Sequence, residues 1–247
     1  MAIKPTISVI IRTLNERKCL SELLSAVRSQ DCFCQVVEII VVDNESTDGT
    51  AELALQNGAK LITIKRDDFS FPVSLNKGAE AASGEILVYL VGHALPFSND
   101  WLRHGVEHFS DPKVAGVYSP VIPRKGCTLA ELIFYYSGYL VARWRGVHRV
   151  AKVRMGVFAA TNVAMRKSLW QQHRFDERYG LGGEDGEWAG WAMSQGFQIV
   201  CDYRFAVRHS HGLGFSGLLQ QLNYWRKLSK PSVFNREELQ FRKDLKF

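Results

Sequence analysis

The chain has 247 residues and a net charge of +6, and 46% of its residues are hydrophobic, 11% aromatic and 23% charged. This composition excludes disordered, collagen-like and coiled-coil proteins, and no apolar run reaches the roughly 18 residues that a membrane-spanning helix needs. Because the first residues lack the apolar stretch and cleavage site of a secretory signal, we expect a soluble, cytoplasmic protein.

Short β-branched runs alternate with helical patterns from residue 7 to residue 91. The runs are typical of buried strands and cover residues 7–11, 36–42, 60–64 and 86–91. Asn15 is expected to cap a first helix, whose single apolar stripe consists of Leu20, Leu23, Leu24 and Val27. A polar turn at 43–50 predicts a second helix, capped by Thr47 or Asp48, and residues 73–82 predict a third.

This alternation favours an α/β fold, with a mostly parallel sheet and helices on both faces. In such sheets ligands bind beyond the carboxyl ends of the strands. The rule points to residues 13–16, 43–46 and 92–96 as a binding region.

The second half of the chain is less regular. Residues 128–147 are rich in aromatic side chains and predict a helix, while residues 159–165 and 198–201 predict strands. Residues 182–196 predict a loop that runs into a helix, and two amphipathic helices are expected after residue 214, split near Pro231. The five cysteines are odd in number and form no CxxC pair, which argues against a disulfide framework or a structural zinc site.

Positive charge is concentrated in two zones of the second half. Residues 132–175 contain eight basic and no acidic side chains, and residues 204–247 contain nine basic and three acidic ones. Residues 176–203, between them, contain six acidic side chains and one basic. The basic zones suit a polyanion, a diphosphate or an anionic membrane surface, or they are solvated faces. Because no nucleic-acid-binding motif accompanies them, we expect no nucleic-acid partner.

The first candidate site is the turn after the second strand. Asp43 could accept hydrogen bonds from a ribose or a base edge, with Asn44 and Ser46 as further polar partners. The N-terminus of the following helix favours phosphate. The alternative is a turn that only caps this helix.

The second candidate site is the acidic segment GGEDGEW at residues 182–188. Glycines in front of paired carboxylates suggest a mobile loop that delivers an acid or a base to a substrate. Asp185 and Trp188 lie three residues apart and would share a helix face, which suits a sugar that stacks on the indole beside a proton-abstracting carboxylate. The alternative is a capping pair on an amphipathic helix. A third segment holds His209 and His211, which could bind a metal or be ordinary packed or exposed histidines.

Six segments of the sequence resemble those of family 2 glycosyltransferases, inverting enzymes with the fold called GT-A. They occur in the order of that family, span about residues 6–212, and comprise residues 7–16, 41–50 (VVDNESTDGT), 71–84 (FPVSLNKGAEAASG), 87–102, 160–170 (ATNVAMRKSLW) and 183–188 (GEDGEW). The chain looks most similar to bacterial sugar transferases of surface-polysaccharide pathways, rhamnosyltransferases among them.

The resemblance implies a division of the chain and a set of site residues. Residues 1–120 would bind a nucleoside-diphosphate sugar, residues 121–212 the acceptor, and residues 213–247 would form a C-terminal helical extension. Asp185 would be the catalytic base, with Glu184 and Trp188 at the acceptor. The implied nucleotide-binding residues are Thr13, Asn15, Glu16, Asp43, Asn44, Ser46, Lys77, Gly92 and His93.

One motif of the family is missing. Its metal-binding Asp-x-Asp would fall on Val91-Gly92-His93, so valine and histidine replace both aspartates. Two mechanisms stay open. Either Mn²⁺ is held by His93 with His209 or His211 and binds only together with the nucleotide, or basic zones and helix dipoles stabilise the diphosphate without a metal. Mg²⁺ prefers oxygen ligands and would suit His93 poorly.

The resemblance implies transfer of a sugar to a hydroxyl of a glycan or lipid-linked acceptor in polysaccharide biosynthesis. The missing aspartates favour an alternative, a catalytically silent nucleotide-sugar or partner-binding module, whereas the retained Glu184 and Asp185 favour an enzyme. A lipid-linked acceptor would bring the basic zones against the inner membrane, with Tyr135, Tyr136 and Trp144 at the interface. The same aromatic residues could instead pack a homodimer interface or the core.

Overall fold

The computed structural model describes residues 5–32 and 34–227, and this part of the chain contains ten strands and eight α-helices. The strands are β1 (Thr6–Thr13), β2 (Gln35–Asp43), β3 (Lys60–Thr63), β4 (Ile86–Val91), β5 (Leu95–Pro96), β6 (Val114–Tyr118), β7 (His148–Arg149), β8 (Asn162–Arg166), β9 (Gln198–Cys201) and β10 (Val207–Arg208). The helices are α1 (Arg17–Arg28), α2 (Thr50–Gln56), α3 (Phe71–Ala81), α4 (Trp101–Val106), α5 (Leu129–Arg145), α6 (Lys167–Gln172), α7 (Glu184–Ser194) and α8 (Phe215–Lys227).

Eight of the strands form one sheet in the order β3-β2-β1-β4-β8-β6-β9-β7. Strands β1 to β4 are parallel, and so are β6 and β9. Strand β8 runs antiparallel to both of its neighbours, and β7 runs antiparallel to β9. The mostly parallel α/β sheet predicted from the sequence is therefore confirmed. Because β8 pairs with β4, one sheet joins the two halves of the chain.

Helices cover both faces of the sheet. On one face, the predicted apolar stripe of α1 packs against the sheet with Trp101 and Leu102 of α4. On the other face, Leu75 of α3, Trp170 of α6 and Trp188 of α7 pack together over the strands. This two-layer covering leaves the carboxyl-terminal edge of the parallel strands open, which is where a ligand can bind.

Two local predictions are wrong. Asn15 does not cap α1: the capping position is Glu16, and Asn15 adopts a left-handed backbone with φ of 56°. Helix α2 is capped by Gly49 rather than by Thr47 or Asp48. Although a disulfide framework was not expected, Cys32 and Cys34 form a disulfide, while Cys19, Cys127 and Cys201 are free thiols.

The C-terminal prediction can be compared only in part. Helix α8 matches the first of the two amphipathic helices expected after residue 214. The second, beyond Pro231, lies outside the described residues. Within residues 5–32 and 34–227, no helix combines the length and the apolarity that crossing a bilayer requires.

Candidate functional site

A cleft of about 1620 Å³ opens at the carboxyl ends of β1, β2 and β4. Its walls come from both halves of the chain, because the loops after these strands face the N-terminus of α7 and one side of α5. Nine predicted site residues line the cleft: Thr13, Asn15, Glu16, Asn44, His93, Glu184, Asp185, His209 and His211. The predicted site residues that do not line it are Asp43, Ser46, Lys77, Gly92 and Trp188.

Asp43 lies beneath the cleft and holds two loops together. The register of β1 and β2 places Thr13 opposite Asp43, and the Thr13 hydroxyl donates to a carboxylate oxygen at 2.8 Å. The amide and the hydroxyl of Ser46 donate to the same carboxylate at 2.8 and 2.6 Å. The carboxylate is buried, and the contacts it makes in the structure hold the loop in its conformation.

A second set of hydrogen bonds joins the loop after β1 to the turn after β2. The side-chain oxygen of Asn15 accepts from the amide of Thr47 at 2.9 Å, and the Asn15 amide donates to Ser46 at 2.8 Å. Neighbouring Asn44 differs, because its buried side-chain oxygen has no hydrogen-bond partner among the described residues. Asn44 itself lines the cleft.

Lys77 and Gly92 lie away from the cleft surface. Lys77 is exposed on the outer side of α3, with its ammonium group 3.8 Å from Glu80. It lies on the opposite side of the helix from the buried residues that pack against the sheet. The structure does not place Lys77 among the lining residues, and its contact with the nucleotide stays a prediction. Gly92 has a steric role, since an added Cβ would lie 2.6 Å from Glu16 and 3.0 Å from Thr13. Its missing side chain lets these loops approach each other.

Three histidines meet at one end of the cleft. The ring centroids of His93 and His209 lie 4.8 Å apart and nearly parallel, and His211 meets them edge-on at 5.3 and 4.5 Å. Burial lowers the pKa of His209 well below its ordinary value, and the charges of His211 and His93 lower it further. Burial also lowers the pKa of His211 to about 4, with His93 adding to the effect. At neutral pH both rings are therefore uncharged.

The pairing of β5 with β10 explains why these histidines meet. Leu95 and Pro96 pair antiparallel with Arg208 and Val207, so the chain just before β5 runs beside the chain just after β10. His93 precedes β5, and His209 follows β10 directly. Neither two-residue strand carries a sequence pattern long enough to be recognised.

Asp185 lies in the first turn of α7, where its carboxylate is held by backbone amides. It accepts from Ala160 at 2.9 Å and from Gly186 at 2.7 Å. Gly182 and Gly183, with φ of 137° and 99°, make the turn that starts the helix in a conformation few other residues adopt. Burial raises the pKa of Asp185, while the two amides and the charge of Arg12 oppose the rise.

The two predicted acceptor residues are placed differently. Glu184 is buried and lines the cleft. Trp188 is fully buried in the core, where its ring stacks on Phe158 at 5.4 Å and its N–H donates to the carbonyl of His173 at 2.8 Å. The expectation that a sugar stacks on Trp188 is therefore wrong, because this face of α7 packs inward.

Several cleft residues were not identified from the sequence. Arg12, at the end of β1, places its guanidinium 4.6 Å from the ring of Phe71. Tyr135 and Arg154 also line the cleft. A charged residue inside an otherwise apolar strand was the available signal for Arg12, whereas helix periodicity alone could not show which aromatic residues of α5 face inward.

The histidine cluster fits a metal ion. The ligand atoms of His93, His209 and His211 all lie within 4.8 Å of one another. The buried Nε2 of His93 has no hydrogen-bond partner in the described part of the chain, and Nδ1 of the same ring lies 2.5 Å from the Glu16 carboxylate. Glu16, expected at the nucleotide, thus contacts the ring that would hold the ion.

Comparisons with known proteins agree with this geometry. The family model described as Glycosyl transferase family 2 matches residues 8–170. Glycosyltransferase AglE of Haloferax volcanii is 37% identical over 79% of this chain and 64% of its own. The O-antigen chain rhamnosyltransferase RfbN of Salmonella typhimurium is 24% identical over 83% of this chain and 66% of its own. The chain thus spans less than two thirds of the length of either relative.

Solved structures show the same fold. The mannosyltransferase PcManGT from Pyrobaculum calidifontis, in complex with GDP-Man and Mn²⁺, has a TM-score of 0.67 at 21% identity, over 90% of this chain and 61% of that one. Glucosyl-3-phosphoglycerate synthase from Mycobacterium tuberculosis, in complex with Mn²⁺, UDP and glucosyl-3-phosphoglycerate, has a TM-score of 0.61 at 18% identity, over 91% and 78%. With a family model that matches most of the sheet and the loops at its open edge, the chain belongs to glycosyl transferase family 2.

Proposed function

We propose that the protein is an inverting glycosyltransferase that moves a sugar from a nucleoside-diphosphate sugar to a hydroxyl of a glycan or lipid-linked acceptor, in the synthesis of a polysaccharide or related glycan. The observation that carries the proposal is the position of Asp185. Its carboxylate is fixed by two backbone amides in the wall of the cleft that the loops after β1 and β2 also line.

The proposed reaction is a single displacement at the anomeric carbon. The acceptor oxygen forms the new bond, and its proton passes to the carboxylate of Asp185. The bond between the sugar and the diphosphate breaks, and the diphosphate leaves with the electron pair. Because the new bond forms on the face opposite the leaving group, the anomeric configuration inverts.

Positive charge in the cleft supports the departure of the diphosphate. Arg12 supplies a guanidinium close enough to Asp185 to act on its pKa. His93, His209 and His211 are the residues that would hold a divalent ion. When bound, such an ion would stabilise the negative charge of the diphosphate. The solved relatives that contain Mn²⁺ support a metal here.

Asn44 and the loops beside it would bind the nucleotide. Thr13, Asp43 and Ser46 keep the loop in shape, and Asn44 lines the cleft beside it. The catalytically silent binding module is not favoured, because it would not need a carboxylate anchored in the cleft wall.

We also propose that the protein contacts an anionic membrane surface, from which a lipid-linked acceptor would be reached. The outer face of α5 leaves an apolar stripe exposed, formed by Leu129, Ile133, Tyr136, Leu140 and Trp144. Arg143 and Arg145 are exposed beside it. Tyr135, expected at this interface, is instead buried and faces His209.

Replacing Asp185 tests the proposed reaction. Asp185→Asn keeps the size of the side chain but removes the base, so we expect transfer to fall by about 10²–10⁴-fold while affinity for nucleoside diphosphates stays near wild type. Nucleoside-diphosphate release from a panel of donors measures turnover, and calorimetry measures affinity. Asp176→Asn is the matched control, since Asp176 pairs with Arg178 outside the cleft. Normal turnover of Asp185→Asn would refute the proposal.

A further inference from the structure

We propose that His93, His209 and His211 form a preassembled three-imidazole site that binds a borderline divalent transition-metal ion, such as Co²⁺, Ni²⁺ or Zn²⁺, more tightly than Mn²⁺ and before any nucleotide arrives. This deepens the proposed function by naming the class of metal. It reverses the sequence-based expectation that Mn²⁺ binds only together with the nucleotide.

The three rings lie close together. Their ligand atoms lie within 4.8 Å of one another, whereas metal–nitrogen bonds of roughly 2.0–2.1 Å would hold them about 3.4 Å apart in a tetrahedral site. Because an imidazole binds a metal through a lone pair in its ring plane, the nearly parallel rings of His93 and His209 must also rotate until both lone pairs point at one position. The β5–β10 pairing holds the two segments that carry these histidines side by side.

The orientation of His93 supports the site. The carboxylate of Glu16 can only accept a hydrogen bond when ionised, so the Nδ1 that lies 2.5 Å away carries the ring proton. Nε2 then presents its lone pair, and this buried atom has no partner among the described residues. A carboxylate behind a histidine is the arrangement that orients imidazole ligands in metal sites.

A buried carboxylate next to the cluster supplies the opposite charge. Glu131 is fully buried, and one of its oxygens accepts from the backbone amide of His211 at 2.7 Å. Its other oxygen is buried and has no hydrogen-bond partner in the described structure. Because an uncompensated buried charge is costly, a cation held by the adjacent histidines would stabilise this region.

In a second cluster of possible metal ligands, an arginine supplies the positive charge. His104, Glu107 and Asp202 also bring their potential ligand atoms within 4.8 Å of one another. There the guanidinium of Arg204 lies 2.7 Å from both carboxylates. It supplies the positive charge that a metal would bring.

The ligand atoms indicate the class of ion. Imidazole nitrogen suits zinc, copper, nickel and iron, whereas carboxylate and carbonyl oxygen suit magnesium, calcium and manganese. At a given site Mn²⁺ binds more weakly than Co²⁺, Ni²⁺ or Zn²⁺. Val91 and His93 stand where the family has the two aspartates whose oxygen ligands would offset that order.

Cobalt titration of the nucleotide-free full-length chain tests the proposal without measuring activity. After treatment with a chelator, we expect one Co²⁺ per chain, seen as visible d–d absorption, with a dissociation constant at least about tenfold below that of Mn²⁺. Zn²⁺ should displace the Co²⁺. Absorption that develops only when a nucleoside diphosphate is present, or Mn²⁺ that binds as tightly as Co²⁺, would overturn the proposal.

Variants assign the site to these residues. His93→Ala should abolish the absorption, and Glu16→Gln should weaken Co²⁺ binding about 10–100-fold. His93→Asp, which retains a ligand, should move the preference toward Mn²⁺. His104→Ala, in the second cluster, is the control that should change nothing. If folded His93→Ala and His209→Ala both bind Co²⁺ as the wild type does, the assignment is wrong. If the chain binds no Co²⁺ but Asp185-dependent transfer is intact, the metal proposal is refuted and the proposed function stands.

Discussion

At the scale of single residues, Asp185 and Asn44 contribute different interactions to the same cleft. Asp185 is held by amides and partly shielded from solvent, so it is positioned but less readily ionised than an exposed aspartate. Asn44 has a buried side-chain oxygen that has no hydrogen-bond partner in the described part of the chain. The first property suits a base, and the second suits a ligand contact. Each leads to its own measurement.

The pH dependence of kcat/KM should report the ionisation of Asp185. The base works only when deprotonated, and burial raises its pKa. Activity should therefore be present above that pKa and be lost as the pH falls through it, at a higher pH than for an ordinary aspartate. Arg12→Gln removes a charge that opposes the rise, so it should move the acid limb to still higher pH. Arg12→Lys keeps the charge and should leave the limb in place; equal shifts in both variants would contradict this account.

Nucleotide affinity should depend on the side chain of Asn44. Asn44→Ala removes a potential acceptor without disturbing the bonds among Thr13, Asp43 and Ser46. The loss should be about 1 kcal/mol, or roughly fivefold in Kd. Isothermal titration with a series of nucleoside diphosphates measures it. Asn57→Ala, at the C-terminus of α2, is the control because its side-chain amide donates to the carbonyl of Leu53 and Asn57 does not line the cleft. Equal affinities in the wild type and Asn44→Ala would show that this oxygen does not contact the nucleotide.

At the scale of elements, the short connection between β9 and β10 is held in place by a buried carboxylate. The turn after β9 holds Asp202, which is fully buried and accepts from His108 at 2.8 Å and from Arg204 at 2.7 Å. Burial opposes ionisation of this carboxylate, but the hydrogen bonds from His108 and Arg204 outweigh it and lower its pKa to about 2. This connection leads into β10 and so helps to place His209.

The Asp202 interactions predict an acid-sensitive part of the stability. A carboxyl with a lowered pKa in the folded state stabilises it above the unfolded value near 3.8, and this contribution is lost as the pH falls toward about 2. Asp202→Asn should therefore lower the free energy of unfolding by about 2 kcal/mol at pH 7, with the difference shrinking near pH 2. Urea unfolding at both values measures this. Asp100→Asn, in an exposed pair with Arg103, is the control. A pH-independent difference would show that packing dominates.

At the scale of the whole molecule, the cleft and the exposed face of α5 lie on either side of the same helix. Tyr135 faces the cleft, while Trp144 on the outer face is 87% exposed. The acidic residue of this helix, Glu131, is buried, and the basic residues near its end are exposed. An apolar, basic surface beside an active-site cleft suits an enzyme that works on acceptors at an anionic lipid surface.

Vesicle sedimentation should detect this contact. We expect binding to vesicles that contain an anionic phospholipid and little binding to phosphatidylcholine alone. The double variant Ile133→Glu, Trp144→Glu should bind at least about tenfold more weakly, since each apolar side chain contributes roughly 1.5–3 kcal/mol when fully buried. Leu55→Glu, at an exposed position of α2, is the control. Equal binding to both kinds of vesicle, or a stable homodimer with no lipid binding, would contradict a membrane role.

The sequence by itself determined the α/β alternation, the strand ends that form the cleft and the segment that carries Asp185. These follow from local periodicity, from turn residues and from a short motif, all of which are read within about ten positions. The tertiary structure decided which side chains share a site. Lys77 and Trp188 fell outside the cleft because helix phase and packing turn them away from it. The histidine cluster formed because β5 and β10, each too short to show a pattern, pair across a long stretch of chain, and such pairing depends on the register of the whole fold rather than on local sequence.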